Sequence, residues 1–197
     1  SDLTYYPWLT DTTVDDGSGW GYLKETKYKS ATTVIHYLID NISKNGHLLL
    51  NIGPKPDGSF PEEAKDILRD MGEWLKINGE AIYGTTTWVH FGEGPNVIVK
   101  TGSFNEQNVP SFSAQDIRFT VKGRTLYAIC LGWPEGPVTI ETLKNLWAPE
   151  IASVRMLGVD QALEWSLSEK GLMIVPPSYK PCKHAVVFKI ERGNVFY

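Results

Sequence analysis

Carboxylates beside a glycine-rich loop are the first groups in this chain that could do chemistry. Asp11 is followed by Asp15-Asp16-Gly17-Ser18-Gly19, and neighbouring carboxyl groups are a common equipment for general acid–base and nucleophilic catalysis. The same composition also makes a turn, because aspartate bonds its own backbone there, and Asp15 and Asp16 read as solvated turn formers. Glu73 and Glu80 lie on or just after a helical pattern and read as salt-bridge or capping groups. His36, His47, His90 and His184 lack metal-ligand spacing such as HxxxH, and His36 reads as structural or exposed. Seven Trp and nine Tyr are many for 197 residues. Flat rings suit sugars, since a pyranose offers C–H faces to a ring, although most such rings fill cores.

The elements that must position these groups change in character near residue 84. Before it, Ser30 can cap a helix carrying Val34, Ile35, Leu38, Ile39 and Ile42 at helical spacing, closed by Asn45-Gly46. The apolar run His47–Ile52 suits a strand buried on both faces, as in a parallel sheet. Gly53–Gly58 breaks the chain. A second helix then starts at Pro61, with Glu62 and Glu63 at its positive end, and frays at Asn78-Gly79. Helix, buried strand, helix is the texture of an α/β barrel or a doubly wound sheet. After residue 84, Asp116–Val121 and Thr125–Leu131 flank a Lys122-Gly123-Arg124 turn and read as a hairpin. Short strands follow near 138–141, 152–157, 163–166, 171–175 and 185–190. Such strands at spacings of about 8–12 residues predict an antiparallel sandwich. Residues 102–115 read as a long polar loop.

Composition narrows the function classes. Hydrophobic residues are 42% and charged residues 21%, which is globular. A net charge of −4 without a Lys/Arg-rich run argues against nucleic acid. No apolar stretch reaches the length of about 18 residues that a spanning helix needs, so no membrane partner is expected. Cys130 and Cys182 do not make a disulfide framework, and Cys130 reads as a buried small hydrophobe. Asn41-Ile42-Ser43 fits a glycosylation sequon, but it falls inside a predicted helix and reads as a chance match. The chain begins at Ser1 without a visible signal peptide, and a fragment or a processed chain is expected.

Two long motifs carry a resemblance. Ser43-Lys-Asn-Gly-His-Leu-Leu-Leu-Asn-Ile-Gly-Pro-Lys-Pro-Asp-Gly-Ser-Phe-Pro61 and Gly72-Glu-Trp-Leu-Lys-Ile-Asn-Gly-Glu-Ala-Ile-Tyr-Gly84 resemble the α-L-fucosidases of glycoside hydrolase family 29. Trp8-Leu-Thr-Asp11, Trp20-Gly21-Tyr22, Asp116-Ile-Arg-Phe-Thr120, Leu126-Tyr127-Ala128 and Trp133-Pro134 are similar to the same family, so the resemblance covers nearly the whole chain. It implies α/β followed by all-β: residues 1–84 as the C-terminal part of a (β/α) barrel catalytic domain, and residues 85–197 as a C-terminal β-sandwich. It implies hydrolysis of terminal α-L-fucosyl linkages with retention, with a fucosylated glycan as substrate and no metal or organic cofactor. Secreted, periplasmic or lysosomal-type compartments suit the family.

Retention needs two carboxyl groups about 5–5.5 Å apart. The family's nucleophile is an Asp on a mid-barrel strand, and many members carry the acid/base Glu at the position held here by Leu9, which transfers no proton. Both catalytic carboxylates are therefore expected upstream of Ser1, with Asp11, Asp15 and Asp16 as outside candidates, and the remainder of the barrel is an expected partner. Ligands of a barrel enzyme sit at the C-terminal ends of its strands. That rule and the resemblance make Asn51, Trp20, Tyr28 and Trp8 the candidate substrate-binding residues, with an aromatic near Tyr28 lining the fucose methyl group. The alternative is a non-catalytic carbohydrate-binding β-sandwich module with an N-terminal appendage. The strand Leu48–Ile52 argues against it, since that strand's edges and faces need further partners.

Overall fold

The computed structural model describes residues 3–16, 20–96 and 111–193. Most of the expected polar loop at 102–115 lies outside the described residues, as do Gly17, Ser18 and Gly19 of the acidic loop. The described chain is an α/β portion followed by an antiparallel β-sandwich, stacked in four layers.

The first layer is a parallel pair, β1 (Trp8–Thr13) and β2 (Gly46–Asn51), in register from Trp8↔Gly46 to Thr13↔Asn51. Side chains alternate across the pair. Leu50 and Ile52 turn to the helices, whereas Leu9 and Leu49 are 63% and 52% exposed on the other face. The second layer is α1 (Ala31–Ser43) and α2 (Glu62–Asn78). Ser30 caps α1 by accepting from Thr33 N at 3.0 Å, and Asn45 ends the connection at φ 70°, a conformation asparagine tolerates. Pro61 precedes α2, and Glu62 and Glu63 fill its first turn. The expected fraying at Asn78-Gly79 does not occur. Asn78 is wholly buried, and the chain tightens into a 3-10 turn, Gly79–Ala81.

The third layer is a five-stranded sheet in the order β3-β4-β5-β10-β7. Its strands are β3 (Thr86–Glu93), β4 (Ile117–Lys122), β5 (Thr125–Cys130), β7 (Ile151–Met156) and β10 (Val186–Arg192). The fourth is β6-β9-β8, made of β6 (Val138–Ile140), β8 (Trp165–Ser168) and β9 (Gly171–Ile174). The hairpin around Lys122-Gly123-Arg124 forms as expected. β1 and β3 are strands that sequence patterning did not anticipate.

The third layer is buried on both faces, and the period of two along β5 shows how. Leu126, Ala128 and Cys130 point to the core shared with β6, β8 and β9. Tyr127, Ile129 and Leu131 point to the core shared with α1 and α2, as do Ala185 and Val187. Cys130 is buried as expected, and burial pushes its thiol up to about 12. Both cysteines are free thiols. Polar staples cross the same seam. Trp74 Nε1 donates to Ala185 O at 2.8 Å, Thr120 Oγ1 to Ala81 O at 2.8 Å, and Tyr127 Oη to Glu80 at 2.7 Å. Lys189 also pairs with Glu80 at 2.6 Å, the salt-bridge role expected of that glutamate.

The deepest of these links is ionic. Asp40 on α1, Lys44 after it and Arg118 on β4 are all buried. Arg118 Nε donates to Asp40 Oδ1 at 2.6 Å and Lys44 Nζ to Asp40 Oδ2 at 2.7 Å. The guanidinium also donates to the carbonyls of Ile117 and Asn96. Phe91 and Phe112 lie against it, with ring centroids 5.6 and 5.1 Å from its central carbon. Gly92 permits the approach, because a Cβ there would fall on Ile117 O and within 2.8 Å of Arg118 Cδ.

His36 is buried on the same helix and donates through Nε2 to His184 O at 3.1 Å, a structural role. Burial lowers its pKa first, with the charges of His184 and Arg118 adding, and the hydrogen bond to His184 O and the charge of Asp116 oppose the shift. Burial also lowers that of His184, with Lys183 and Lys180 adding and Asp70 opposing. The unfolded chain therefore binds more protons than the fold as pH drops through the ordinary histidine range. The contribution is full above about 6.5 and is lost as pH falls through the lowered folded values. Urea unfolding is expected to show stability falling between about pH 7.5 and pH 5.5, with His36→Gln flattening that slope. An unchanged slope in His36→Gln would assign it to other groups.

Candidate functional site at the C-terminal rim of β1 and β2

The C-terminal ends of β1 and β2 gather most of the residues singled out from the sequence. β1 runs on through Val14 N, which donates to Asn51 O at 3.1 Å. The chain then pairs with its own return: Asp16 N donates to Lys27 O at 2.7 Å and Lys29 N to Val14 O at 2.9 Å, with Asp15 opposite Tyr28. This is the acidic loop, and its base is not solvated. Asp15 is 4% exposed and accepts from Thr13 Oγ1 at 3.1 Å. Lys29, also buried, sends its ammonium to the carbonyls of Thr13 and Asp15 at 2.8 and 2.6 Å. The reading of Asp15 as a solvated turn former is corrected: a buried cation from the returning chain holds this turn against the end of β1. Asp16 is exposed, and Asp11 stands mid-strand on the open face across from Leu49. Lysine is rarely buried, so nothing in the sequence marked Lys29.

Asn51 ends β2, and its Nδ2 donates to Trp20 O at 2.9 Å. Gly53 completes the seat. A Cβ there would lie 2.7 Å from Gly21 C and 2.8 Å from Tyr22 N, so the Trp20-Gly21-Tyr22 segment rests flat on the Asn51–Gly53 backbone. Two motifs 31 residues apart in the chain thus form one surface. Trp20 itself is 48% exposed. Tyr28 is half-buried, and burial, then Glu63, Asp15 and Tyr22, raise the pKa of its hydroxyl. It stays a neutral donor or acceptor over the whole physiological range.

Trp8 stands elsewhere. It is the first residue of β1, stacked on Gly46, with Nε1 donating to Lys44 O at 3.2 Å, at the end of the strand pair opposite the rim. Among the described residues no group of three or more His, Cys, Asp or Glu could hold a metal ion, and no helix is long and apolar enough to cross a membrane. The rim brings together the half-exposed Trp20, the neutral phenol of Tyr28, which packs against the helix core, and the amide of Asn51 fixed on Trp20 O.

Comparison with known proteins decides the family. Residues 1–80 match the family model described as alpha-L-fucosidase, and residues 110–191 match that of the alpha-L-fucosidase C-terminal domain. This chain belongs to the α-L-fucosidase family. It is 33% identical over 197 residues to the tissue α-L-fucosidase of Bos taurus and 34% identical over 192 residues to the plasma α-L-fucosidase of Homo sapiens. Those alignments cover 95% and 92% of this chain and 37% of each relative. A crystal structure of Thermotoga maritima α-fucosidase in complex with fucose superposes with a TM-score of 0.77 at 32% identity, covering 96% of this chain and 40% of that one. The chain therefore spans well under half the length of the fucosidases it matches.

The seat of the Trp20 loop is testable in this α-L-fucosidase family chain by itself. Gly53→Ala is expected to displace the loop at a cost of about 1–3 kcal/mol, as overpacking does. Asn51→Ala should cost about 1 kcal/mol through the lost hydrogen bond. Hydrogen exchange at the amides of Gly21 and Tyr22 should accelerate in both variants, and unchanged protection would show that the loop is held by other contacts.

Proposed function

We propose that this chain is the C-terminal portion of a retaining α-L-fucosidase that removes terminal α-L-fucosyl groups from glycans. The observation that carries the reading is the joint at the rim. The family motif ending β2 and the Trp20-Gly21-Tyr22 segment meet there through Asn51 and Gly53, at the strand ends where barrel enzymes bind substrate. In this reading residues 1–84 complete a barrel whose other strands pair with β1 and β2 and cover Leu9 and Leu49, and residues 85–197 form the sandwich that backs its helices. Trp20 and Tyr28 face the sugar, and Asn51 acts by fixing Trp20. Trp8 serves the site from the far end of β1, by setting how that strand lies on Gly46.

The two catalytic carboxyl groups come from the remainder of the barrel. Asp15 supports this assignment, since its carboxylate is buried beside Thr13 and its backbone is clamped by Lys29. The purified chain alone is expected not to release nitrophenol from a nitrophenyl α-L-fucoside. Turnover by it that is abolished by mutating Asp11, Asp15 or Asp16 would overturn the assignment.

Specificity rests on Tyr28. Fucose is a 6-deoxy sugar, and an apolar wall at its methyl group penalises the hydroxyl of the corresponding galactose-like hexose. In the complete enzyme Tyr28→Ala should lower kcat/KM for a fucoside roughly 10- to 200-fold, with a smaller loss on the matching galactoside. Equal losses on both, at unchanged melting temperature, would return Tyr28 to the core.

A further inference from the structure

The outer edge of the sandwich carries a groove of about 410 Å³ lined by Lys144, Trp147, Pro149, Leu167, Ser168 and Glu169. Trp147 is 65% exposed, yet its backbone is fixed. Its N–H donates to Glu150 Oε1 at 2.9 Å, Glu150 N returns a bond to Trp147 O at 2.8 Å, and the Glu150 carboxylate reaches Arg192 at 3.5 Å. Leu146 and Leu167 anchor the two walls in the sandwich core. A large ring held open to solvent on an ordered turn is a platform that core packing does not explain.

Its position is remote from the β1–β2 pair. The groove lies between the segment that precedes β7 and the end of β8, each an edge strand of its sheet, whereas α1 packs on β3 and β4, toward the other edge of the five-stranded sheet. Two layers separate it from the open edges of β1 and β2. Its size fits one or two sugar rings and falls short of a protein interface. Its chemistry is also mixed: one aromatic face is flanked by an ammonium, a hydroxyl and a carboxylate, which between them can donate to and accept from sugar hydroxyls. We infer that Trp147 is the stacking platform of a second, non-catalytic saccharide site that holds a pyranose of the glycan away from the barrel rim.

Ligand-observed saturation-transfer NMR on the full chain tests this, with L-fucose and a fucosylated lactose trisaccharide as probes. Trp147→Ala and Trp20→Ala are compared with the unmodified chain. Saturation transfer to pyranose C–H protons is expected in the unmodified chain and, through this groove, in Trp20→Ala, because the rim without the other strands of the barrel is too open to hold a free sugar. Trp147→Ala should weaken it by at least about tenfold with melting temperature unchanged, because the ring is exposed. No transfer to either probe in the unmodified chain would overturn the site. So would a Trp147→Ala variant that binds normally, or one that merely abolishes self-association. Binding lost in Trp20→Ala alone would support the rim while rejecting this groove.

Discussion

The carboxylate of Asp40 is the point on which the two halves of this chain turn. It sits on α1, in the barrel portion, and is shared between Arg118 of β4 and Lys44 at distances of 2.6 and 2.7 Å with all three side chains out of water. Burying ions is costly unless each finds partners, and a buried pair adds stability only when its remaining hydrogen-bonding groups are also satisfied. Here they are: Arg118 spends its other donors on the carbonyls of Ile117 and Asn96, and Phe91 and Phe112 shield it. A charge pair with such demands allows one relative placement of helix and sheet. It therefore acts as a register pin between layers that apolar packing alone would let slide.

From that pin the geometry passes to the rim. α1 runs out through Ser43, Lys44 and Asn45 into Gly46, the first residue of β2. The Lys44 carbonyl receives Trp8 Nε1 and the Asn45 carbonyl receives the Trp8 N–H at 3.3 Å, so the start of β1 is set by the end of α1. The opposite ends of both strands then carry Asn51, Gly53 and the Asp15–Lys29 turn. A sandwich that merely accompanied a barrel would not need these connections. This one buttresses the helices whose strands present the Trp20 loop.

Much of this was legible in the sequence, and the exceptions have physical causes. α1, α2, β2 and the β4–β5 hairpin each carry their own pattern, and the long motifs at 43–61 and 72–84 point to the family. β1 went unread because Trp8–Thr13 has no apolar run, and its strand character comes from pairing with β2. β3 was hidden by Gly92, the irregular pairing with β4 and exposed Val89 and His90. Of the site, Asn51 and Trp20 could be nominated but not the bond between them, and Gly53 shows its purpose only when Gly21 lies on it. Asp15 looked like a turn residue because the cation that buries with it, Lys29, arrives from a returning chain that no local pattern links to it.

A double-mutant cycle on Asp40→Asn and Arg118→Leu, read by urea unfolding of the full chain with probes on α1 and on the sandwich, tests the central claim that the two portions are pinned into one body. A coupling energy of about 2–3 kcal/mol and a single transition seen by both probes are predicted. Additivity within about 0.5 kcal/mol, or two separate transitions in the unmodified chain, would contradict it.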